Sequence, residues 1–181
     1  MLNFNNIKMV ILDCDGVLTD GKYFMSSDRL MFKSFYTRDF YAIEKLLKED
    51  IDVAIVTQSV DPVLNEQINR ICSSSDLWKD KVISRNLRII EGSDDKKRSI
   101  ELFILSDTIN NIGWENICYV GDAENDLECM KLSYFSACPI DAIQEITDNA
   151  NYESSFSGGD GAVYDIVNFI FERRKRQNGN T

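Results

Sequence analysis

Asp13 and Asp15 stand two residues apart in Asp13-Cys14-Asp15-Gly16, directly after the apolar run Met9-Val10-Ile11-Leu12. Two carboxylates at this spacing can divide the work of phosphoryl transfer. One binds a metal and attacks phosphorus, while the other, further from the metal, shuttles a proton. A carboxylate nucleophile that forms an acyl phosphate is an established covalent route. Two more apolar runs end in polar residues: Val53-Ala54-Ile55-Val56 at Thr57, and Ile117-Cys118-Tyr119-Val120 at Gly121-Asp122, with Asp126 four residues on. Thr57 can hydrogen-bond a transferring phosphoryl oxygen, and a Lys on a following helix can neutralise its growing charge. Carboxylates that converge on one crevice repel each other and are costly to desolvate. A hard divalent cation resolves that conflict, and an oxygen-only donor set points to Mg²⁺ rather than zinc.

Positioning these groups requires particular elements. Short continuous apolar runs that stop at Gly or acidic residues read as strands buried on both faces of a parallel sheet. Lys8–Asp13, Val53–Val56 and Ile117–Val120 fit, with shorter strands expected near Arg88–Ile90 and at Tyr134–Ala137. Helices are expected over Phe40–Lys48, from Asp61-Pro62 to Ser73, and over Asp95–Leu105, Asp126–Leu132, Ala142–Thr147 and Ala162–Arg174. Tyr23-Phe24-Met25 and Leu30-Met31-Phe32 flank Ser26-Ser27-Asp28-Arg29, which reads as a hairpin with a polar turn. The segment from Asp76 to Ile90 is otherwise ambiguous. Strands alternating with helices define an α/β class: a Rossmann-like parallel sheet with helices on both faces and a small β-hairpin flap. In such sheets ligands bind beyond the carboxyl ends of the strands, where the three polar endings fall.

Composition narrows the functions. With 181 residues and 44% hydrophobic content, the chain reads as a single domain spanning 1–181. A net charge of −10 argues against nucleic-acid and anionic-membrane partners. The absence of His excludes His triads and His-ligated zinc. The five scattered Cys contain no Cys-x-x-Cys pair and read as reduced thiols of a cytoplasmic protein. Cys14 as a nucleophile is disfavoured, because neighbouring carboxylates raise a thiol's pKa. Neither a signal peptide nor a membrane span is expected.

Asp13-Cys14-Asp15-Gly16-Val17-Leu18-Thr19-Asp20-Gly21 resembles the first motif of haloacid dehalogenase-type phosphatases, in the capless subgroup that contains 3-deoxy-D-manno-octulosonate 8-phosphate phosphatase. Lys33–Asp39 is similar to the subgroup's segment before its first helix, and Val53–Thr57 to the second motif. Gly121–Leu127 is similar to the fourth motif, and Gly158–Val163 to the C-terminal signature. The resemblance implies Asp13 as nucleophile and metal ligand. It implies Asp15 as general acid then base, with its backbone carbonyl on the metal. Asp122 would ligate Mg²⁺, and Asp126 would support the metal's waters. Thr57 and Lys96 would bind phosphate, Lys97 being the alternative to Lys96, and Gln58 and Arg38 fall at substrate-binding positions. It further implies no separate cap domain and a homotetramer whose hairpin and C-terminal tail shape a neighbour's pocket; Phe24, Met25, Met31 and Phe32 fall either at or near that interface or in the core. The substrate expected is a small phosphorylated sugar acid.

Several positions depart from that pattern. Gln58-Ser59 replaces Gly-Arg, Phe40 replaces a Gly, Ala123 stands where a second Asp is common, and Asp160 stands at a usually basic position. These changes remove positive charge expected around the sugar acid's carboxylate. The same chemistry on a nine-carbon sugar acid 9-phosphate, a phosphomutase and a catalytically degenerate regulatory domain therefore remain as competing readings.

Overall fold

The computed structural model describes residues 2–28, 30–60, 62–84, 86–106 and 111–179. Strand β1 (Met9–Leu12) is buried along its whole length. Side chains alternate across a strand, so Val10 and Leu12 enter one core while Met9 and Ile11 enter a second. This double burial explains why the run carries no polar alternation. It pairs in parallel with β4 (Asp52–Val56) on one side and β6 (Ile117–Val120) on the other. A two-stranded antiparallel hairpin, β2 (Phe24–Met25) with β3 (Met31–Phe32), follows β1. With β5 (Leu87–Ile90), β7 (Phe135–Cys138) and β8 (Tyr152–Glu153), the parallel sheet runs β5-β4-β1-β6-β7-β8.

One face is covered by α1 (Thr37–Lys48), α2 (Pro62–Ser74), α3 (Asp76–Ile83) and α7 (Ala162–Gln177). These helices contribute Ile43 and Leu46, Leu64 and Ile68, Trp78, and Val163 and Ile166 to the core. The other face is covered by α4 (Lys96–Ser106), α5 (Leu127–Leu132) and α6 (Gln144–Thr147), through Ile100 and Phe103, Met130, and Ile146. Each fully buried aliphatic or aromatic side chain of this kind contributes roughly 1.5–3 kcal/mol. The chain moves outward from β1 through β4 to β5, then returns to β6 and moves the other way. The reversal beside β1 is the switch point at which an α/β sheet opens a crevice.

Some expectations are refined. Helix α1 begins at Thr37, ahead of the expected Phe40, because Asp39 in its first turn is tied to another element. The ambiguous stretch resolves into α3, anchored by Trp78 (1% exposed), and β5. Phe40 is buried beside Phe35 and Trp78, ring centroids 5.6 and 6.1 Å away, so the side chain replacing a Gly helps seat α3. Strand β8 was not expected. Arg29 in the hairpin turn, Asp61 before α2 and the last two residues of the expected frayed tail, 180 and 181, lie outside the described residues.

Candidate active site

The carboxyl ends of β1, β4 and β6 carry Asp13, Thr57 and Gly121-Asp122 to one crevice. Carboxylate oxygens of Asp13, Asp122 and Asp126 lie within 4.8 Å of one another. The approach depends on Gly16, whose φ is +90°. A Cβ there would sit 2.0 Å from Asp122 Oδ2, so no larger residue leaves room for that carboxylate.

Asp126 is fully bonded. Its Oδ1 accepts from Lys96 Nζ and Tyr119 OH, both at 2.7 Å. Its Oδ2 accepts from the backbone amides of Asp122 (3.0 Å) and Ala123 (3.2 Å). Asp126 therefore fixes the loop that presents Asp122. Asp122 Oδ1, by contrast, is buried with no hydrogen-bond partner among the described residues. Asp13 Oδ1 accepts from the Cys14 amide at 2.7 Å, and Oδ2 lies 2.9 Å from Lys96 Nζ. Lys96 is thus clamped between Asp13 and Asp126 with its side chain 1% exposed. Lys97 instead faces outward and pairs with Glu128 at 2.7 Å, so of the adjacent pair it is Lys96 that lies within the carboxylate cluster.

The electrostatics follow. Burial first, then the charge of Asp126, pushes the Asp13 carboxyl up to about 7 against the pull of Lys96. The same two causes raise Asp122 to about 7. Burial works to lower Lys96, but the charges of Asp13 and Asp126 outweigh it and hold the ammonium above its ordinary value. An orphaned buried carboxylate oxygen beside two neighbouring carboxylates fits a hard divalent cation, because such a cation supplies the missing positive partner.

Asp15 has turned away from this cluster. Lys33 Nζ bonds both of its oxygens at 2.9 Å, Ser59 Oγ donates to Oδ2 at 2.8 Å, and Thr19 Oγ1 donates to Oδ1 at 3.1 Å. Burial acts to raise this carboxyl, but those hydrogen bonds and the charge of Lys33 hold it below the usual carboxylate range. Two carboxylates two residues apart therefore differ in proton affinity, as separate roles in acid–base chemistry require. Thr57 is buried, and its Oγ1 accepts the Ser59 amide at 3.1 Å.

The outer candidates are less engaged. Gln58 is exposed and bonds Asp94 (3.3 Å) and Asn125 (3.4 Å) at the rim. Arg38 is exposed, its guanidinium 5.9 Å from the Tyr36 ring. The loop Gly158–Gly161 closes on the first motif: Gly159 N donates to Val17 O at 3.0 Å, and a Cβ on Gly158 would meet Gly16 O at 1.9 Å.

Sequence reasoning assigned no role to Lys33, Ser59 or Tyr119. Tyr119 was detectable in principle: a hydroxyl inside an otherwise apolar, doubly buried strand needs a polar partner. Lys33 and Ser59 reach Asp15 only through the folded chain.

The fold recurs in a solved protein assigned to the haloacid dehalogenase (HAD) superfamily, subfamily III A hydrolases, from Legionella pneumophila. Its TM-score is 0.82 at 22% identity, covering 97% of this chain and 87% of that one. That likeness shows the fold. The cobalt-bound form of the deoxy-D-mannose-octulosonate 8-phosphate phosphatase from Haemophilus influenzae has a TM-score of 0.79 at 27% identity, covering 94% of this chain and 91% of that one. The 3-deoxy-D-manno-octulosonate 8-phosphate phosphatase KdsC of Escherichia coli (strain B / BL21-DE3) is 30% identical over 172 residues, 94% of this chain and 82% of that protein. The chain belongs to this phosphatase family. No family model matches it.

Proposed function

We propose that the protein is a Mg²⁺-dependent phosphate monoester hydrolase acting on a small phosphorylated sugar acid of the 3-deoxy-D-manno-octulosonate 8-phosphate type. The observation that carries the reading is the Asp13–Asp122–Asp126 cluster, in which Asp122 Oδ1 is buried without a hydrogen-bond partner among the described residues. Asp13, Asp122 and the backbone carbonyl of Asp15 would hold the cation, with Asp126 supporting its waters. When bound, the cation neutralises carboxylate and phosphate charge and so lets the two anions approach.

The remaining chemistry belongs to the chain's own residues. An Asp13 oxygen attacks phosphorus and forms a bond to it as the bond from phosphorus to the sugar oxygen breaks. Lys96, 2.9 Å from Asp13, and the Thr57 hydroxyl stabilise the charge on the phosphoryl oxygens. Asp15 gives its proton to the departing sugar oxygen. A dianionic phosphoryl group beside Asp15 raises its proton affinity and so opposes the depression by Lys33. Asp15 then takes a proton from water, whose oxygen bonds to phosphorus as the bond to Asp13 breaks. The sum is ester plus water to sugar plus inorganic phosphate, with Asp13 restored. Gln58 would meet the substrate at the rim, and the exposed Arg38 is a further candidate for contact with it.

We also propose a cytoplasmic homotetramer with the whole chain acting as one hydrolase unit. The support is the exposed apolar hairpin, with Phe24 70% and Phe32 57% exposed, and five free cysteines suited to a reducing compartment.

The test is phosphate release from a panel of phosphorylated sugars and sugar acids, with Mg²⁺ and with chelator. Release from sugar acid phosphates, dependent on Mg²⁺ and reduced at least ~10³-fold in Asp13→Asn, is expected. No release from any substrate, or an equally active variant, would refute the enzyme. A preference for uncharged sugar phosphates would refute the sugar-acid substrate.

A further inference from the structure

Resting on the reading of Asp15 as proton donor above, we infer that Ser59 is a positioning residue. It holds the Asp15 carboxyl in the orientation from which the leaving sugar oxygen takes its proton, and it ties that carboxyl to the phosphate site at Thr57. Ser59 is half-buried in the turn after β4, 44 positions from Asp15, and its Oγ donates to Asp15 Oδ2 at 2.8 Å. It stands at one of the positions where the chain departs from the motif pattern. No step of the reaction above engages it.

The other donors to Asp15 leave a task for Ser59. Lys33 Nζ meets both carboxylate oxygens at 2.9 Å. An ammonium is a compact charge with rotatable donors, so it sets the carboxylate's distance without fixing its plane. Hydroxyls on opposite oxygens fix that plane: Ser59 on Oδ2, and Thr19 on Oδ1 at 3.1 Å. Thr19 lies four residues from Asp15 in the same loop, whereas Ser59 is anchored on another strand. The Ser59 bond therefore sets the first-motif loop against the rest of the site. A hydroxyl can donate to a carboxylate and accept from a carboxylic acid, so this contact survives proton delivery, while the Lys33 ammonium can only donate.

Ser59 is itself held at both ends. Its amide donates to Thr57 Oγ1 at 3.1 Å, and its carbonyl accepts the Gly92 amide at 3.4 Å. Because Thr57 Oγ1 accepts from that amide, the Thr57 hydroxyl hydrogen is left for a phosphoryl oxygen. One residue thereby orients both the hydroxyl that meets the phosphoryl group and the carboxyl that meets the leaving oxygen. Removing Oγ alone separates the two effects, since the amide stays.

The experiment compares kcat/KM for 3-deoxy-D-manno-octulosonate 8-phosphate and for 4-nitrophenyl phosphate, with Mg²⁺, in wild type, Ser59→Ala, Ser59→Thr and Asp15→Asn. When the bond from phosphorus to the sugar oxygen breaks, that oxygen takes the electron pair and needs the proton of Asp15. Nitrophenolate keeps the pair as a stable anion and needs none. kcat/KM ends at departure of the leaving group, before Asp15 acts on water. In Ser59→Ala it should fall about tenfold to a hundredfold on the sugar acid phosphate and stay within about threefold on 4-nitrophenyl phosphate. Ser59→Thr keeps the hydroxyl and should return to within about threefold of wild type on both. Asp15→Asn should show the same split, larger. If Asp15→Asn shows the split but Ser59→Ala loses nothing, or loses equally on both substrates, the role of Ser59 is overturned and the proton-donor reading stands. Wild type without turnover of the sugar acid phosphate, or no split in Asp15→Asn, overturns the reading beneath it and the role of Ser59 together.

Discussion

Asp39→Asn should change the protein's pH-stability profile in a way that can be worked from the structure. Asp39 is fully buried in the first turn of α1. Its Oδ1 accepts the Tyr164 amide at the start of α7, at 2.9 Å, while Oδ2 is buried with no hydrogen-bond partner among the described residues. Burial raises this carboxyl from an ordinary 3.8 to about 6, against the amides of Tyr164, Gly161 and Val163. At about 1.4 kcal/mol per pH unit, the ionised folded state carries a cost of roughly 3 kcal/mol. Below pH 3.8 the group is protonated in both states and the cost vanishes. Between 3.8 and about 6 the unfolded chain releases the proton first, so stability falls as pH rises, and above about 6 the full cost applies.

Asparagine is neutral throughout and keeps the acceptor for Tyr164, but it places an unpaired N–H donor where Oδ2 stood, at a pH-independent cost of about 1–3 kcal/mol. The variant should therefore be less stable than wild type near pH 4. Relative to wild type it should gain roughly 3 kcal/mol on going to pH 7.5. Urea unfolding in chelator, followed by fluorescence of the buried Trp78, gives both curves. Parallel curves, with a difference constant across the range, would refute the assignment of that cost to Asp39.

Three further outcomes test the site. Lys96→Met should destabilise the protein by about 3–5 kcal/mol, because it strands Asp13 beside Asp126, and should lower turnover, because Lys96 stabilises the phosphoryl charge. Both are read by urea titration and steady-state kinetics. Calorimetric Mg²⁺ affinity should weaken as pH falls below about 7, since Asp13 and Asp122, each raised to about 7, must lose their protons to ligate; affinity flat from pH 6 to 8 would count against those ligands. Tyr119→Phe removes one donor to Asp126 Oδ1 and should weaken Mg²⁺ binding about tenfold without abolishing turnover.

What was readable in the sequence follows from how locally each feature is encoded. β1, β4 and β6 are buried on both faces, so their runs are apolar without interruption and their polar endings stand out. Asp13, Asp15, Thr57, Asp122 and Asp126 were visible because each follows such a strand closely. α3 was not visible, since Trp78 is its one buried residue and its periodicity is correspondingly weak. β8 spans two residues, too few to show alternation. The choice between Lys96 and Lys97 depends on which face of α4 meets Asp126, a fact of packing. Lys33 reaches Asp15 across 18 positions, a contact made only by the folded chain.

The most direct test of the phosphoryl-transfer chemistry is to quench the enzyme with acid during turnover of a phosphate-labelled substrate, digest it and locate the label. Label on Asp13, removed by mild alkali as an acyl phosphate is, is the expected result. Rapid product release with no labelled protein, or label fixed on Thr57 or Cys14, would mean that Asp13 is not the group that receives the phosphoryl.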